Sequence, residues 1–114
     1  MIFRRKVKKG SQAGQSIGYP TINLNVGSFA NHHKYGVYKS NVFINKKTYI
    51  GALYYGPKLM NKGDVVEIYI IDFKGHIYGK FIHFEVIKKI RDPKKFINLN
   101  DLKKQICIDL KNVI

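Results

Sequence analysis

From Tyr35 to Ile90 apolar and polar residues alternate with a period of two, β-branched and aromatic side chains dominate, and turn residues arrive about every ten positions. The pattern predicts short antiparallel strands curled into a barrel or stacked as a sandwich. Tyr35 to Ile44 reads as one strand, Asn45-Lys46-Lys47 as a tight polar turn, and Thr48 to Tyr55 as the returning hairpin partner, which Gly56-Pro57 stops. A polar loop from Lys58 to Gly63 leads into a strand from Asp64 to Ile71, and Asp72-Phe73-Lys74-Gly75 turns the chain into a long last strand from His76 to Ile90. In that strand Tyr78, Ile82, Phe84, Val86 and Ile90 fall on one face, with Lys80 and Lys88 as exceptions, and His83, Glu85 and Lys89 fall opposite. Gly79 is expected to mark a bulge or a close backbone approach.

Beyond Asp92-Pro93 the period changes. Leu99, Leu102, Ile106, Leu110 and Val113 recur at helical spacing, with Asn98 or Asn100 available as the cap. A helix of this length is marginal alone in water, so its stripe is expected to pack on the outside or the open end of the barrel. The amino-terminal third carries neither period. Gly10, Gly14, Gly18 and Pro20, with Ser11, Gln12, Gln15 and Ser16 between them, make a glycine-punctuated loop. Such a loop either lets backbone N–H groups approach phosphate oxygens, with Lys8 and Lys9 adding charge, or is a plain surface connection.

Composition narrows the setting. With 114 residues, 15 Phe and Tyr side chains and 45% hydrophobic content, the chain suffices for a single domain, 1–114, with a real core. Its lone cysteine, Cys107, allows no internal disulfide, no apolar run is long enough to cross a bilayer, and the start Met1-Ile2-Phe3-Arg4-Arg5-Lys6 lacks a signal-peptide core. A cytoplasmic monomer is the expectation, with Cys107 a small hydrophobe at a core edge. The formal charge of +14 attracts polyanions, but it is carried by 18 Lys against 3 Arg, whereas base and phosphate recognition favours the planar guanidinium. Solvated lysine is therefore expected, with no nucleic acid and no membrane as partner. His32 and His33 are adjacent, point apart in an extended segment, and have no third ligand at zinc spacing.

The segment Gly14-Gln15-Ser16-Ile17-Gly18-Tyr19-Pro20-Thr21-Ile22-Asn23-Leu24 resembles the glycine-rich loop and Pro-Thr-x-Asn signature of the riboflavin kinase family. Gly36-Val37-Tyr38, Val66-Glu67-Ile68-Tyr69-Ile70, Ile77-Tyr78-Gly79-Lys80, Ile90-Arg91-Asp92-Pro93-Lys94-Lys95-Phe96 and Leu102 to Leu110 resemble its later landmarks in the right order. The resemblance implies an all-β fold, a six-stranded antiparallel Greek-key barrel with a C-terminal α-helix, and ATP-dependent phosphorylation of the riboflavin 5′-hydroxyl to FMN. It implies nucleotide contacts from Gly10, Gly14, Gly18, Pro20, Thr21 and Asn23, and a divalent cation, Mg²⁺ foremost, on Thr21 and Asn23. Two residues apart on extended backbone, those two side chains share a face and supply the hard oxygens Mg²⁺ takes.

Glu67, one of two glutamates, interrupts an apolar strand and is the candidate general base. Its parity matches Val65, Tyr69 and Ile71 and opposes Val66, Ile68 and Ile70, so alternation alone leaves open which face is outside. Arg91, the one arginine beyond residue 5, is expected at the flavin or a nucleotide phosphate, and Phe96 either walls the flavin ring or packs in the core. Two departures stand out. Leu53-Tyr54-Tyr55-Gly56 replaces the family's usual residues, although Pro57 keeps its spacing of ten to Glu67, and Gln15 stands where an arginine is common. Many bacterial members carry an amino-terminal FAD synthetase domain, so any FMN-to-FAD step is expected elsewhere. The competing class is a non-catalytic basic barrel that binds flavin or RNA.

Overall fold

The residue that closes the sheet is Val7. In the computed structural model, which describes residues 1–9, 20–58 and 62–114, Val7 separates strand β1 (Phe3–Lys6) from the two-residue strand β2 (Lys8–Lys9). The other strands are β3 (Ile22–Leu24), β4 (Gly36–Ile44), β5 (Lys47–Pro57), β6 (Asp64–Ile70) and β7 (Phe81–Arg91). They pair antiparallel in the order β1-β7-β4-β5-β6-β3-β2. The sheet therefore begins and ends on neighbouring pieces of one segment and must curl until its edges meet, which removes most of the exposed edge. The return of β7 to lie beside β4 is the Greek-key step. Against the expected count of six, the extra strand is the amino-terminal segment divided at Val7.

The core follows from alternation. Leu24, Val42, Leu53, Val66, Ile68, Ile82 and Phe84 point inward and are at most 2% exposed. Phe29, on a 3₁₀ turn (Gly27–Asn31), is wholly buried among them, its ring 5.2 Å from those of Phe3 and Tyr55 and stacked at 4.2 Å on His33. The β4–β5 hairpin turns on Asn45 and Lys46 at φ 50° and 66°, the left-handed pair that suits a two-residue loop between twisted strands.

The last strand departs from expectation at both ends. It starts at Phe81, five residues late, because residues 76–80 form a turn that serves Val7: the Val7 N–H donates to the Lys80 carbonyl and the Gly79 N–H to the Val7 carbonyl, each at 2.8 Å. Gly79 holds φ +82° in that turn, outside the strand, and Tyr78 is 47% exposed where strict alternation had put it on the apolar face. Further along, the pairing with β4 shifts register between Lys39 and Ser40 and between Val37 and Tyr38. The first shift skips Ile87 and pairs Lys88 with Lys39, which brings out of the barrel a lysine that alternation had placed inside.

The helix, α1 (Leu99–Val113), starts at Asn98, whose side chain accepts the Asp101 N–H at 2.9 Å. It packs on the outer wall against β4, β5 and β7, where Val37 and Val113 are buried outside the barrel core. No helix among the described residues is long and apolar enough to cross a membrane.

Candidate active site

β3 and β6 resolve the question of faces. Ile22 and Leu24 enter the core, which turns Asn23 outward, with Thr21 just ahead of the strand on the same side. In β6, Val66, Ile68 and Ile70 are buried in the core, so Glu67 and Tyr69 lie on the outer wall. The ladder sets Asn23 opposite Glu67, and the Thr21 hydroxyl donates to Glu67 Oε2 at 2.8 Å across 46 residues of sequence. Hydroxyl, amide and carboxylate thus meet on two hydrogen-bonded strands, which fixes their spacing more firmly than a loop would.

Asn23 Oδ1 is buried and has no hydrogen-bond partner among the described residues. A buried acceptor left unsatisfied costs about 1–3 kcal/mol, and such groups call for a functional explanation. A hard cation supplies one, since an amide oxygen beside a threonine hydroxyl is an oxygen donor set of the kind Mg²⁺ accepts. Among the described residues no three His, Cys, Asp or Glu side chains cluster as a metal cage, so water and phosphate oxygens would complete the shell, as is usual for Mg²⁺.

Two hollows among the described residues bear on this reading, of which one adjoins the cluster. One, of about 160 Å³, opens beside Thr21 and Pro20 and is walled by Tyr69, Phe73, Ile77 and Tyr78. The other, of about 280 Å³, lies between the 94–97 segment and α1, where half-buried Phe96 meets Lys104, Gln105 and Ile108. Phe96 therefore stands at a surface hollow and outside the barrel core.

Arg91 is committed within the chain. Its Nε and Nη2 donate to the two oxygens of Asp109 at 2.8 and 2.9 Å, and its Nη1 donates to the Asp92 carbonyl at 2.9 Å. Gln105 Nε2 adds a bond to Asp109 at 2.9 Å. This fork pins α1 to the end of β7, so Arg91 positions the 92–98 segment, and its flavin contact remains an expectation. Lys8 donates to Asn25 Oδ1 at 3.0 Å, and Lys9 is exposed. Gly10, Gly14 and Gly18 lie outside the described residues.

Sequence reasoning left two residues near these side chains without a role. Asp109 was legible only as an acid between Ile106 and Leu110 on a helix stripe. Tyr54 was visible as a departure without a place; it faces Glu67 across the β5–β6 ladder, and burial together with the Glu67 charge raises its pKa.

A closed antiparallel barrel carrying a hard-oxygen cluster on its outer wall is the class that fold and site define. The family model for riboflavin kinases matches residues 1–114, and the chain belongs to that family. It is 34% identical over 115 residues to an RNA-binding riboflavin kinase of Bacillus subtilis, with 98% of this chain and 49% of that protein aligned. It is 32% identical over 117 residues to a bifunctional riboflavin kinase/FMN adenylyltransferase of Haemophilus influenzae, covering 96% of this chain and 36% of that protein. The chain thus spans about half or less of the length of these relatives. Among solved structures, a Streptococcus pneumoniae protein described as a macrolide-efflux protein superposes with a TM-score of 0.82 at 28% identity, covering 98% of this chain and 38% of that one. The riboflavin kinase of Trypanosoma brucei shares the fold, with a TM-score of 0.65 at 23% identity over 98% of this chain and 76% of that one.

Proposed function

We propose that the chain transfers the γ-phosphoryl group of ATP to the 5′-hydroxyl of riboflavin, giving FMN and ADP. The observation that carries this reading is the hydrogen bond from Thr21 to Glu67 beside the unsatisfied Asn23 oxygen. Phosphoryl transfer asks the protein mainly to position and to neutralise charge, and a pair of neighbouring strands does both. Mg²⁺, held by Thr21 and Asn23, would neutralise charge on the phosphates. Glu67 takes the proton of the 5′-hydroxyl as its oxygen bonds to the γ-phosphorus and the bond to ADP breaks. By donating to Oε2, Thr21 fixes the carboxylate's rotamer and leaves its own lone pairs for the cation. The hollow beside Pro20 and Thr21 holds part of a nucleotide, and Gly10, Gly14 and Gly18 are assigned to its phosphates. Phe96 and the segment ordered by Arg91 take the flavin ring.

The substrates are small molecules, so a cytoplasmic monomer acting without nucleic acid is the matching setting. The RNA binding named for the Bacillus subtilis relative belongs to a protein about twice as long. The test is incubation with riboflavin, Mg²⁺ and either ATP or CTP, followed by chromatography for FMN. Glu67→Gln should lower turnover by about 10²–10⁴ while retaining flavin binding; full turnover in that variant would refute the base assignment, and oligonucleotide affinity falling steeply with salt in place of phosphoryl transfer would favour the non-catalytic barrel.

A further inference from the structure

The ladder register aligns one row of residues across the outer wall: Asn23, Glu67, Tyr54, Val37 and Arg91. At a strand spacing of about 4.8 Å, Tyr54 lies roughly 5 Å from Glu67 along the row and Val37 roughly 10 Å. Tyr54 is on the outer wall because its neighbours Leu53 and Tyr55 are in the core. Its side chain does not stand out from the strand. It lies back along β5 so that its hydroxyl donates to the Pro57 carbonyl at 2.9 Å. This pose needs Gly56, two residues on and on the same face: a Cβ there would sit 2.6 Å from Tyr54 Oη and 2.9 Å from Cζ, and the three atoms nearest to it all belong to Tyr54. Ring, glycine and carbonyl form one unit that holds an aromatic surface over Gly56, on the outer wall next along β5 from the position opposite Glu67.

We propose that Tyr54, seated by Gly56 and Pro57, is the specificity-determining wall for the acceptor's polyol chain between Glu67 and the edge of α1. The proposal rests on the kinase reading above. An extended chain advances about 1.2 Å per bond, so the six bonds from the flavin ring nitrogen to the 5′-oxygen span roughly 7 Å. With the oxygen at Glu67 and the chain directed toward Phe96, the polyol crosses the Tyr54 position, and the ring begins at the near edge of α1, short of Val37, which the helix buries. An aromatic surface there packs against the carbons of the polyol and so contributes to acceptor binding.

The test uses Gly56→Ala, Tyr54→Ala, Tyr54→Phe and the double variant Gly56→Ala/Tyr54→Ala, each in the full chain and checked for folding by circular dichroism. Riboflavin KM and kcat, ATP KM, and riboflavin Kd from flavin fluorescence are measured. Gly56→Ala displaces only the Tyr54 ring, so it should raise riboflavin KM about tenfold with ATP KM unchanged and kcat within about threefold, the signature of lost acceptor binding. Tyr54→Ala should do the same, Tyr54→Phe should have a smaller effect, and the double variant should match Tyr54→Ala because nothing remains to be displaced. If the wild type makes FMN and the single variants leave riboflavin KM and Kd unchanged, or if the two effects add in full, the proposal is overturned and the kinase reading stands. If the wild type binds riboflavin without making FMN, the kinase reading fails, and a Kd raised in the same non-additive pattern supports the wall. If it does not bind riboflavin, both fall.

Discussion

Asn23 offers a test in which stability and function should move in opposite directions. Leucine has nearly the shape of asparagine without its polar atoms, so Asn23→Leu removes the buried Oδ1 that finds no partner among the described residues. Relief of an unsatisfied buried acceptor stabilises by about 1–3 kcal/mol. For a domain of this size, each kcal/mol moves the midpoint by about 4 °C, so a thermal melt without ligand should rise by roughly 4–12 °C. The ligand response should run the other way. Mg²⁺ and ATP at about one hundred times Kd stabilise a protein that binds them by about 2.7 kcal/mol, or roughly 10 °C by the same scale. The wild type should show that gain, whereas Asn23→Leu should lose most of it together with phosphoryl transfer. Scanning fluorimetry with and without Mg²⁺ and ATP reads both quantities from one sample. A variant that melts lower without ligand, yet keeps the full ligand-dependent gain, would refute the assignment of Oδ1 to a cation.

Other outcomes follow from the same geometry. Asp109→Ala should lower stability by about 2–4 kcal/mol, the usual loss on breaking a buried pair reduced because the Arg91 side chain is 17% exposed, whereas Arg91→Met with Asp109→Leu should be nearly neutral; urea unfolding distinguishes the two. Thr21→Val should impair turnover through both the cation and the Glu67 rotamer, so combining it with Glu67→Gln should cost less than the two separate losses multiplied together, as measured by FMN formation. Burial lowers the His33 pKa below its ordinary 6.5, so the unfolded chain takes up a proton first as the pH falls. Stability from this group is complete above about pH 6.5 and declines below it until the folded-state pKa is passed, and His33→Phe, which preserves the stack on Phe29, should flatten that part of the curve in pH-dependent melts.

Regular alternation made the strands from Tyr35 to Ile71 legible, because one face of each is buried and a period of two is then enforced. It failed at residues 76–80, where the two backbone groups of Val7 demanded partners and took them from a turn. Such a demand comes from closing the barrel and leaves no local mark. Phe29 went unread for a similar reason: one aromatic in a short polar stretch carries no period, yet the barrel interior needed a ring there. In the candidate site, Thr21 and Asn23 were legible only through the resemblance of Pro20-Thr21-Ile22-Asn23 to the family signature; the extended segment added that the two share a face. Glu67 was legible by chemical type and not by face, which depended on Val66 and Ile68 winning the interior. Arg91 was read as a ligand-contacting arginine and not as the partner of Asp109, since the pair joins a strand end to a helix through the fold alone.

The antiparallel ladder also shows how a short chain can bring together the residues assigned to two substrates. Between β3 and β6 the register sets Asn23 against Glu67, and between β6 and β5 it sets the same carboxylate against Tyr54, so on the proposed reading one residue on the middle strand would serve both substrates. A slip of one position in either pairing would send Glu67 or its neighbours into the core, where Val66 and Ile68 now sit wholly buried. The packing energy that fixes the barrel's register therefore also fixes the spacing of Asn23 and Glu67. Substitutions that thin the core under β6, such as Ile68→Ala, should then loosen the site geometry as well as lower stability. The large cost of emptying a buried aliphatic position, about 2–5 kcal/mol, sets how firmly that alignment is held.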